Sequence, residues 1–256
     1  MYNDIKGKTV VVTGGSKGIG KGIAKVFAKH GANVAILSRT LSTAEQCVNE
    51  LNQKQGTARA FKTDVTNRES IEETIEEVAN AFGGIDIVCS NAGIFPQEEI
   101  ETMTDEDWNL VINTNVRGTH WTVKASIPYL KEAKAGRIIF TSSITGPLVG
   151  YRGWAHYGAS KAAQLGYMKS AALELAEYGV TVNSVMPGNV ATGGLEDLGD
   201  DYLETMTNAI PVGKLGNVED VGYAAMFFAS ENTSFITGQT IVIDGGQTIP
   251  EDLQAK

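Results

Sequence analysis

The sequence predicts a single α/β domain, a doubly wound parallel sheet of about seven strands with helices on both faces. Three observations predict it. A β-branched run, Thr9–Thr13, feeds a glycine turn and then a helical pattern. Short apolar strands then alternate with amphipathic helical stretches across short turns. Finally, the strand 137–141 runs into Ser142-Ser143, at the carboxyl end where open α/β sheets place their ligands.

Bulk composition sets the outer bounds. With 256 residues, 42% apolar and 20% charged, the chain suits a soluble globular protein with a full core. It carries no linker, repeat or low-complexity tract. One domain is therefore expected over 1–256, with a first half over about 1–150 and a second over about 151–250. The net charge of −9 argues against a nucleic-acid partner, which would normally meet a basic patch. Cys47 and Cys89 are too few for a disulfide framework. No apolar run approaches the ~18 residues of a membrane span, and the first six residues are not a signal segment, so a cytoplasmic location is expected.

The elements follow in order. After the strand Thr9–Thr13 comes Gly14-Gly15-Ser16-Lys17-Gly18-Ile19-Gly20, then a helix carrying Ile23, Val26 and Phe27 and ending near Gly31. Strand, glycine turn and helix N-terminus together form a phosphate site, because backbone N–H groups and the helix dipole meet the anion there. The strand Asn33–Leu37 ends in Ser38-Arg39-Thr40. An acid that binds a ribose 2′-hydroxyl is normal at that place. Arg39 instead suits a 2′-phosphate, which it can hold bidentately, and Lys17 can add a second positive charge. NADP(H) is therefore preferred, with NAD(H) as the alternative.

Leu41 to Gln55 reads as a helix, and Ala58–Lys62 as a strand running to Asp64-Val65. Asn67–Phe82 reads as a helix whose glutamates form a solvated face, not a metal site. A fourth strand, Ile85–Cys89, runs into Ser90-Asn91-Ala92-Gly93. A long helix is expected from about Asp105 to Lys134. Asn115 lies inside it, where propensity disfavours asparagine and a polar task can explain it. A flexible stretch, Gly146–Trp154, precedes a helix over 155–178 with apolar or small residues nearly all round, which must be covered on more than one side. Strand Val180–Met186 ends at Pro187-Gly188. Asn189–Ile210 reads as a mobile segment over a site, followed by a helix Val218–Ser230 and a last strand Thr240–Ile243. The three histidines show no metal-ligand spacing, and no metal is expected.

Tyr157 and Lys161 stand four residues apart on the 155–178 helix, so they share one face. An ammonium beside a phenol favours the phenolate and would bring the phenol into range for acid/base work near neutral pH. Taken alone, the pair reads first as a half-buried tyrosine and a solvated lysine on an amphipathic helix.

Together these motifs resemble the short-chain dehydrogenase/reductase family over nearly the whole chain, in the expected order. The resemblance implies a Rossmann fold and an oxidoreductase interconverting a ketone or aldehyde and an alcohol. It makes Asn115, Ser143, Tyr157 and Lys161 the catalytic tetrad. Ser143 would bind the carbonyl oxygen and Tyr157 donate a proton. Lys161 would support the phenolate and hold the ribose hydroxyls, and Asn115 would anchor a water relaying protons to Lys161. The cofactor site would comprise Gly14, Ser16, Lys17, Gly18, Ile19, Gly20, Ser38, Arg39, Asp64, Val65, Asn91, Ala92 and Gly93. It would also include Tyr157, Lys161, Pro187, Gly188, Val190 and Thr192. Ser90 departs from the pattern, which usually has asparagine there, and the spacing from Ser143 to Tyr157 is long. Family members usually form homotetramers through their long helices.

The expected pocket is lined by Phe95, Gln97, Tyr151 and Trp154, which suits a small carbonyl substrate with an apolar part. The runner-up is a 3-oxoacyl-acyl-carrier-protein reductase, whose acidic partner needs a basic entrance. The resemblance places Lys134 and Arg137 near that face, but Glu177 and the acidic Glu196, Asp197, Asp200 and Asp201 oppose it. A polyol or sugar dehydrogenase and a catalytically silent NADP sensor are the remaining alternatives.

Overall fold

The computed structural model describes residues 2–53, 57–193 and 200–250. Gln55, Glu196, Asp197 and the tail beyond Pro250 lie outside the described residues. The elements are β1 (Thr9–Thr13), α1 (Gly18–Lys29), β2 (Asn33–Ser38), α2 (Leu41–Asn52), β3 (Thr57–Lys62), α3 (Arg68–Phe82) and β4 (Ile87–Ser90). Next come α4 (Asp105–Ile112), α5 (Gly118–Glu132), β5 (Arg137–Thr141), α6 (Ala155–Leu175) and β6 (Thr181–Pro187). The chain closes with β7 (Val190–Ala191), α7 (Asp200–Asn208), β8 (Gly216–Asn217), α8 (Val218–Ala229) and β9 (Thr240–Ile243).

Seven strands form one parallel sheet in the order β3-β2-β1-β4-β5-β6-β9. Register pairs Val11 with Ala35, Val12 with Cys89, and Ile139 with Asn183. β1 and the central strands are buried at every position, because helices cover both faces of the sheet, and this explains their unbroken β-branched runs. One face packs Ile23, Val26 and Phe27 of α1 against Val221, Met226 and Phe228 of α8. A Cβ at Gly22 would collide with the Val218 carbonyl, so these two helices meet backbone to backbone. The other face packs Ile71, Ile75 and Val78 of α3 with Val123 and Leu130 of α5 and Met168 and Leu175 of α6. The strand order reverses between β1 and β4, which opens the crevice where such sheets bind ligands.

The structure alters three sequence expectations. The helix expected from Asp105 to Lys134 contains a wider π turn at Asn113–Arg117, and Asn115 sits in it. The stretch Gly146–Trp154 is tied down by backbone hydrogen bonds, Gly146 N–H to Val149 O at 2.8 Å and Glu98 N–H to Gly153 O at 2.8 Å. The segment Asn189–Ile210 contains β7 and the nine-residue α7 rather than loop alone. No helix among the described residues is long and apolar enough to cross a membrane.

Candidate active site

The crevice is built first by Thr13 at the end of β1. Its hydroxyl oxygen accepts from the backbone N–H of Asn91 (3.0 Å) and Ala92 (3.1 Å), and the Asn91 amide donates to Thr13 O at 3.1 Å. These bonds lock the ends of β1 and β4 together beneath the glycine turn. Gly14 and Gly18 have φ of +64° and +52°, and a Cβ at Gly20 would collide with the Gly14 carbonyl oxygen. Asn67 and Thr104 cap α3 and α4, but no side chain among the described residues caps α1. The first-turn N–H groups of α1 are thus left for an anion. Thr192 closes the opposite wall, 3.5 Å from where a Gly18 Cβ would lie. Pro187 ends β6, Gly188 packs against Asp244 and Gln247, and Val190 is buried in β7.

At the adenine end, the Ser16 hydroxyl donates to Ser38 Oγ at 3.1 Å. Lys17 and Arg39 are exposed there and make no ion pair among the described residues. Burial raises the Asp64 carboxyl, but hydrogen bonds from the Thr66 hydroxyl (2.7 Å) and N–H (2.9 Å), with the Arg39 charge, bring it below its ordinary value. Val65 beside it is buried. A helix start and two cations that have no side-chain partner among the described residues suit an anionic dinucleotide.

The structure also brings the four expected tetrad residues to one place at the carboxyl end of β5. The Asn115 amide donates to Ile94 O (2.9 Å) and Ser160 Oγ (3.0 Å), while its oxygen accepts from Ile94 N–H (2.9 Å). Those bonds to the loop after β4 are what the π turn serves, because they aim Asn115 inward. Gly93 follows the same loop, and a Cβ on it would lie 3.2 Å from Asn115 Oδ1 and 3.5 Å from Lys161 Nζ. The Ser143 hydroxyl lies beside the Tyr157 phenol, and its oxygen accepts from Thr145 N–H at 3.1 Å. Lys161 Nζ donates to Thr141 O at 2.8 Å and lies 5.6 Å from the Tyr157 ring centre.

The ionisation expected of this pair is corrected. Burial pushes the Tyr157 phenol above its ordinary value, and only the Ser143 hydrogen bond works against that. Burial also pulls Lys161 down, to about 8. The two side chains share a face as expected, but the ammonium is drawn to the Thr141 carbonyl, and the loss of water around both groups outweighs their attraction.

Three of the four pocket residues come together around Tyr157. Ring centres of Phe95 and Trp154 stand 6.1 and 5.4 Å from that of Tyr157, and Tyr151 stacks on Trp154 at 4.4 Å. Gln97 is drawn aside, donating to Arg152 O at 3.3 Å. His156 is fully buried, and neither ring nitrogen has a hydrogen-bond partner among the described residues.

Two cations expected near the entrance are misplaced by that expectation. Arg137 begins β5, at the amino end of the sheet and away from the crevice. It is 1% exposed, with its guanidinium bonded to the carbonyls of Gly136 (2.9 Å), Ser230 (3.4 Å) and Gly179 (3.5 Å). Lys134 pairs with Glu231 at 3.1 Å at that same end. Sequence reading also missed Gln164 and Thr119, both buried beside Asn115 and Lys161. The available signal was a glutamine in an otherwise apolar and small helical run.

Residues 14–248 match a model of the adh_short_C2 family, described as enoyl-(acyl carrier protein) reductase. The chain is 37% identical to oxidoreductase UcpA of Salmonella typhimurium over 257 residues, covering 97% of each chain. It is 36% identical to the 3-oxoacyl-[acyl-carrier-protein] reductase FabG of Thermotoga maritima, covering 96% of this chain and 99% of the relative. Its structure superposes on a short-chain type dehydrogenase/reductase from Mycobacterium marinum with a TM-score of 0.91 at 34% identity, over 97% and 98% of the two chains. The glycine turn, the reversal of strand order beside it and these similarities agree: the chain belongs to the short-chain dehydrogenase/reductase family of oxidoreductases.

Proposed function

We propose that the protein is an NADP(H)-dependent oxidoreductase that interconverts a ketone or aldehyde and an alcohol, with Tyr157 as the acid/base. The observation that carries this reading is the placement of the Ser143 hydroxyl beside the buried Tyr157 phenol, with buried Lys161 one helical turn on, at the open end of the crevice. Two hydroxyl donors that meet at one point suit a carbonyl oxygen, which gains charge as the carbon is reduced. Uncapped N–H groups of α1 would hold the pyrophosphate, Lys17 and Arg39 a 2′-phosphate, and Thr192 the nicotinamide end. When bound, the cofactor supplies the hydride for the carbonyl carbon.

The chain's own residues do the rest. Ser143 donates to the carbonyl oxygen and orients it. Tyr157 passes its phenolic proton to that oxygen, and its phenolate is then held by the nearby Lys161 ammonium. The raised phenol keeps its proton at neutral pH, which suits the reductive direction, in which tyrosine must start as the acid. Phe95, Trp154 and Tyr151 exclude water on one side and favour a substrate with an apolar part.

Identity to the FabG proteins supports a second reading, reduction of a carrier-bound 3-oxoacyl thioester. The burial of Arg137 and the pairing of Lys134 remove the basic entrance on which that reading had leaned. A homotetramer accords with α6, whose outer face leaves Leu173 81% exposed. A polyol or sugar substrate fits the aromatic wall less well. A silent NADP sensor would leave the tetrad without a task.

The test is Tyr157→Phe. Turnover of NADPH against a panel of ketones, aldehydes, sugars and an acetoacetyl thioester should fall about 10³-fold, while NADPH binding by fluorescence is retained. Undiminished turnover would remove Tyr157 from the chemistry. A strong preference for the thioester would select the second reading.

A further inference from the structure

Gln164 lies one turn beyond Lys161 on α6 and is 1% exposed. A buried amide is unfavourable unless its donors and acceptor are bonded. Nε2 donates to the Asn115 carbonyl at 2.8 Å and to Thr119 Oγ1 at 3.0 Å. Oε1 accepts from Lys161 Nζ at 3.4 Å. The orientation of the amide is dictated by its surroundings. A backbone carbonyl can only accept, so the amide nitrogen must face Asn115 and the oxygen must face the lysine.

The network extends to Ser90. Thr119 Oγ1 donates to the same Asn115 carbonyl at 2.8 Å and accepts from Ser90 Oγ at 3.2 Å. Asn115 O thus takes two side-chain donors. Around Lys161, β5 presents Thr141 and Ser142, the loop after β4 presents Gly93, and the π turn presents Asn115. Tyr157 on its own helix is the titratable neighbour, and no carboxylate pairs with Lys161 among the described residues.

We propose that Gln164 is a positioning residue of this site. Its amide oxygen holds the Lys161 ammonium, and its amide nitrogen fastens that lysine to the Asn115 turn. The inference rests on reading Tyr157 and Lys161 as the acid/base pair. A neutral amide supports the ammonium without cancelling the charge that a Tyr157 phenolate needs beside it. Leucine at 164 would leave Nζ with the Thr141 carbonyl alone. Glutamate would hold the ammonium more tightly but neutralise it.

The Lys161 side chain can be titrated by NMR in the cofactor-free protein, its signal being the one absent from Lys161→Met. Gln164→Leu should move that titration down by at least about half a pH unit, and Gln164→Glu should move it up by about one or more. Opposite shifts are a signature that a merely space-filling glutamine would not give. In turnover, Gln164→Leu should lower kcat about tenfold with KM and NADPH affinity within about threefold. A Lys161 titration unmoved in both variants, or moved the same way in both, overturns the proposal. If Gln164→Leu does not fold, an unmoved titration in Gln164→Glu overturns it alone. If wild type reduces no carbonyl, the functional reading fails, and the titrations still decide for or against the Gln164–Lys161 contact.

Discussion

The two ends of the one parallel sheet handle charge in opposite ways. At the amino end, Lys8 bridges Asp86 (3.2 Å) and Glu231 (3.4 Å), and Lys134 also reaches Glu231. Asp4 there accepts from Ser230 Oγ (2.8 Å) and Glu231 N–H (2.6 Å), next to the buried Arg137. Every one of these cations has a partner within the fold. At the carboxyl end, Ser90, Asn115, Thr119, Ser160 and Gln164 form a neutral buried network beside Lys161, a cation that no carboxylate neutralises among the described residues. Charge at the amino end is consumed by folding. At the carboxyl end it is left for a ligand, at a cost in stability that structural positions do not bear.

Substitutions can break or sharpen this contrast. The largest effect is expected for Lys161→Met. Its kcat should fall about 10³-fold while the free energy of unfolding rises by roughly 1 kcal/mol, because relief of a buried ammonium that no carboxylate pairs among the described residues outweighs the loss of its bonds to the Thr141 and Gln164 oxygens. A loss of stability in urea unfolding would break the comparison. Arg137→Leu should do the reverse. Removing it takes a charged donor from three carbonyls, of which Gly136 and Ser230 keep other donors, and empties a buried site; the cost is about 3 kcal/mol, with kcat within about twofold of wild type.

The pH dependence of stability gives a third, comparable effect. The folded protein releases the Lys161 proton near 8, whereas an ordinary lysine holds it to 10.5. Between these values the unfolded chain binds more protons than the folded one. Stability contributed by this group therefore grows as pH rises through the window, by up to roughly 3 kcal/mol, and is lost as pH falls back through about 8. The difference in unfolding free energy between wild type and Lys161→Met isolates it. A difference that stays flat from neutral pH to about 10.5 would show that Lys161 titrates normally. The smallest effect concerns the other unpaired cation of the carboxyl end. Arg39→Asp should weaken NADPH binding about 30-fold and leave NADH nearly unchanged, as read by fluorescence titration. Equal affinity of the variant for NADPH would remove Arg39 from the phosphate site.

Local pattern carried much of this protein. The runs Thr9–Thr13 and Arg137–Thr141 are strands because β-branched residues fit a sheet covered on both faces, and the structure confirms both bounds. Tyr157 and Lys161 were legible as a same-face pair because α-helical spacing is set by local geometry. Arg137 was misread because the resemblance alone placed it beside the entrance, and its own residues give no sign of where the strand start is covered. Only the approach of the loop at Gly179 and the end of α8 buries it. The wide turn at Asn115 was invisible too, since its cause is a pair of bonds to Ile94, 21 residues away.

The sequence by itself determined the order of strands and helices, the glycine turn and the residue types available for acid/base work, since these depend on neighbours within a few positions. The tertiary structure decided which cations are neutralised, which way the phenol and ammonium shift, and that Gln164 faces Lys161. Those depend on desolvation and on partners such as Asn115, 49 residues from Gln164, that only the packed sheet brings within hydrogen-bond distance.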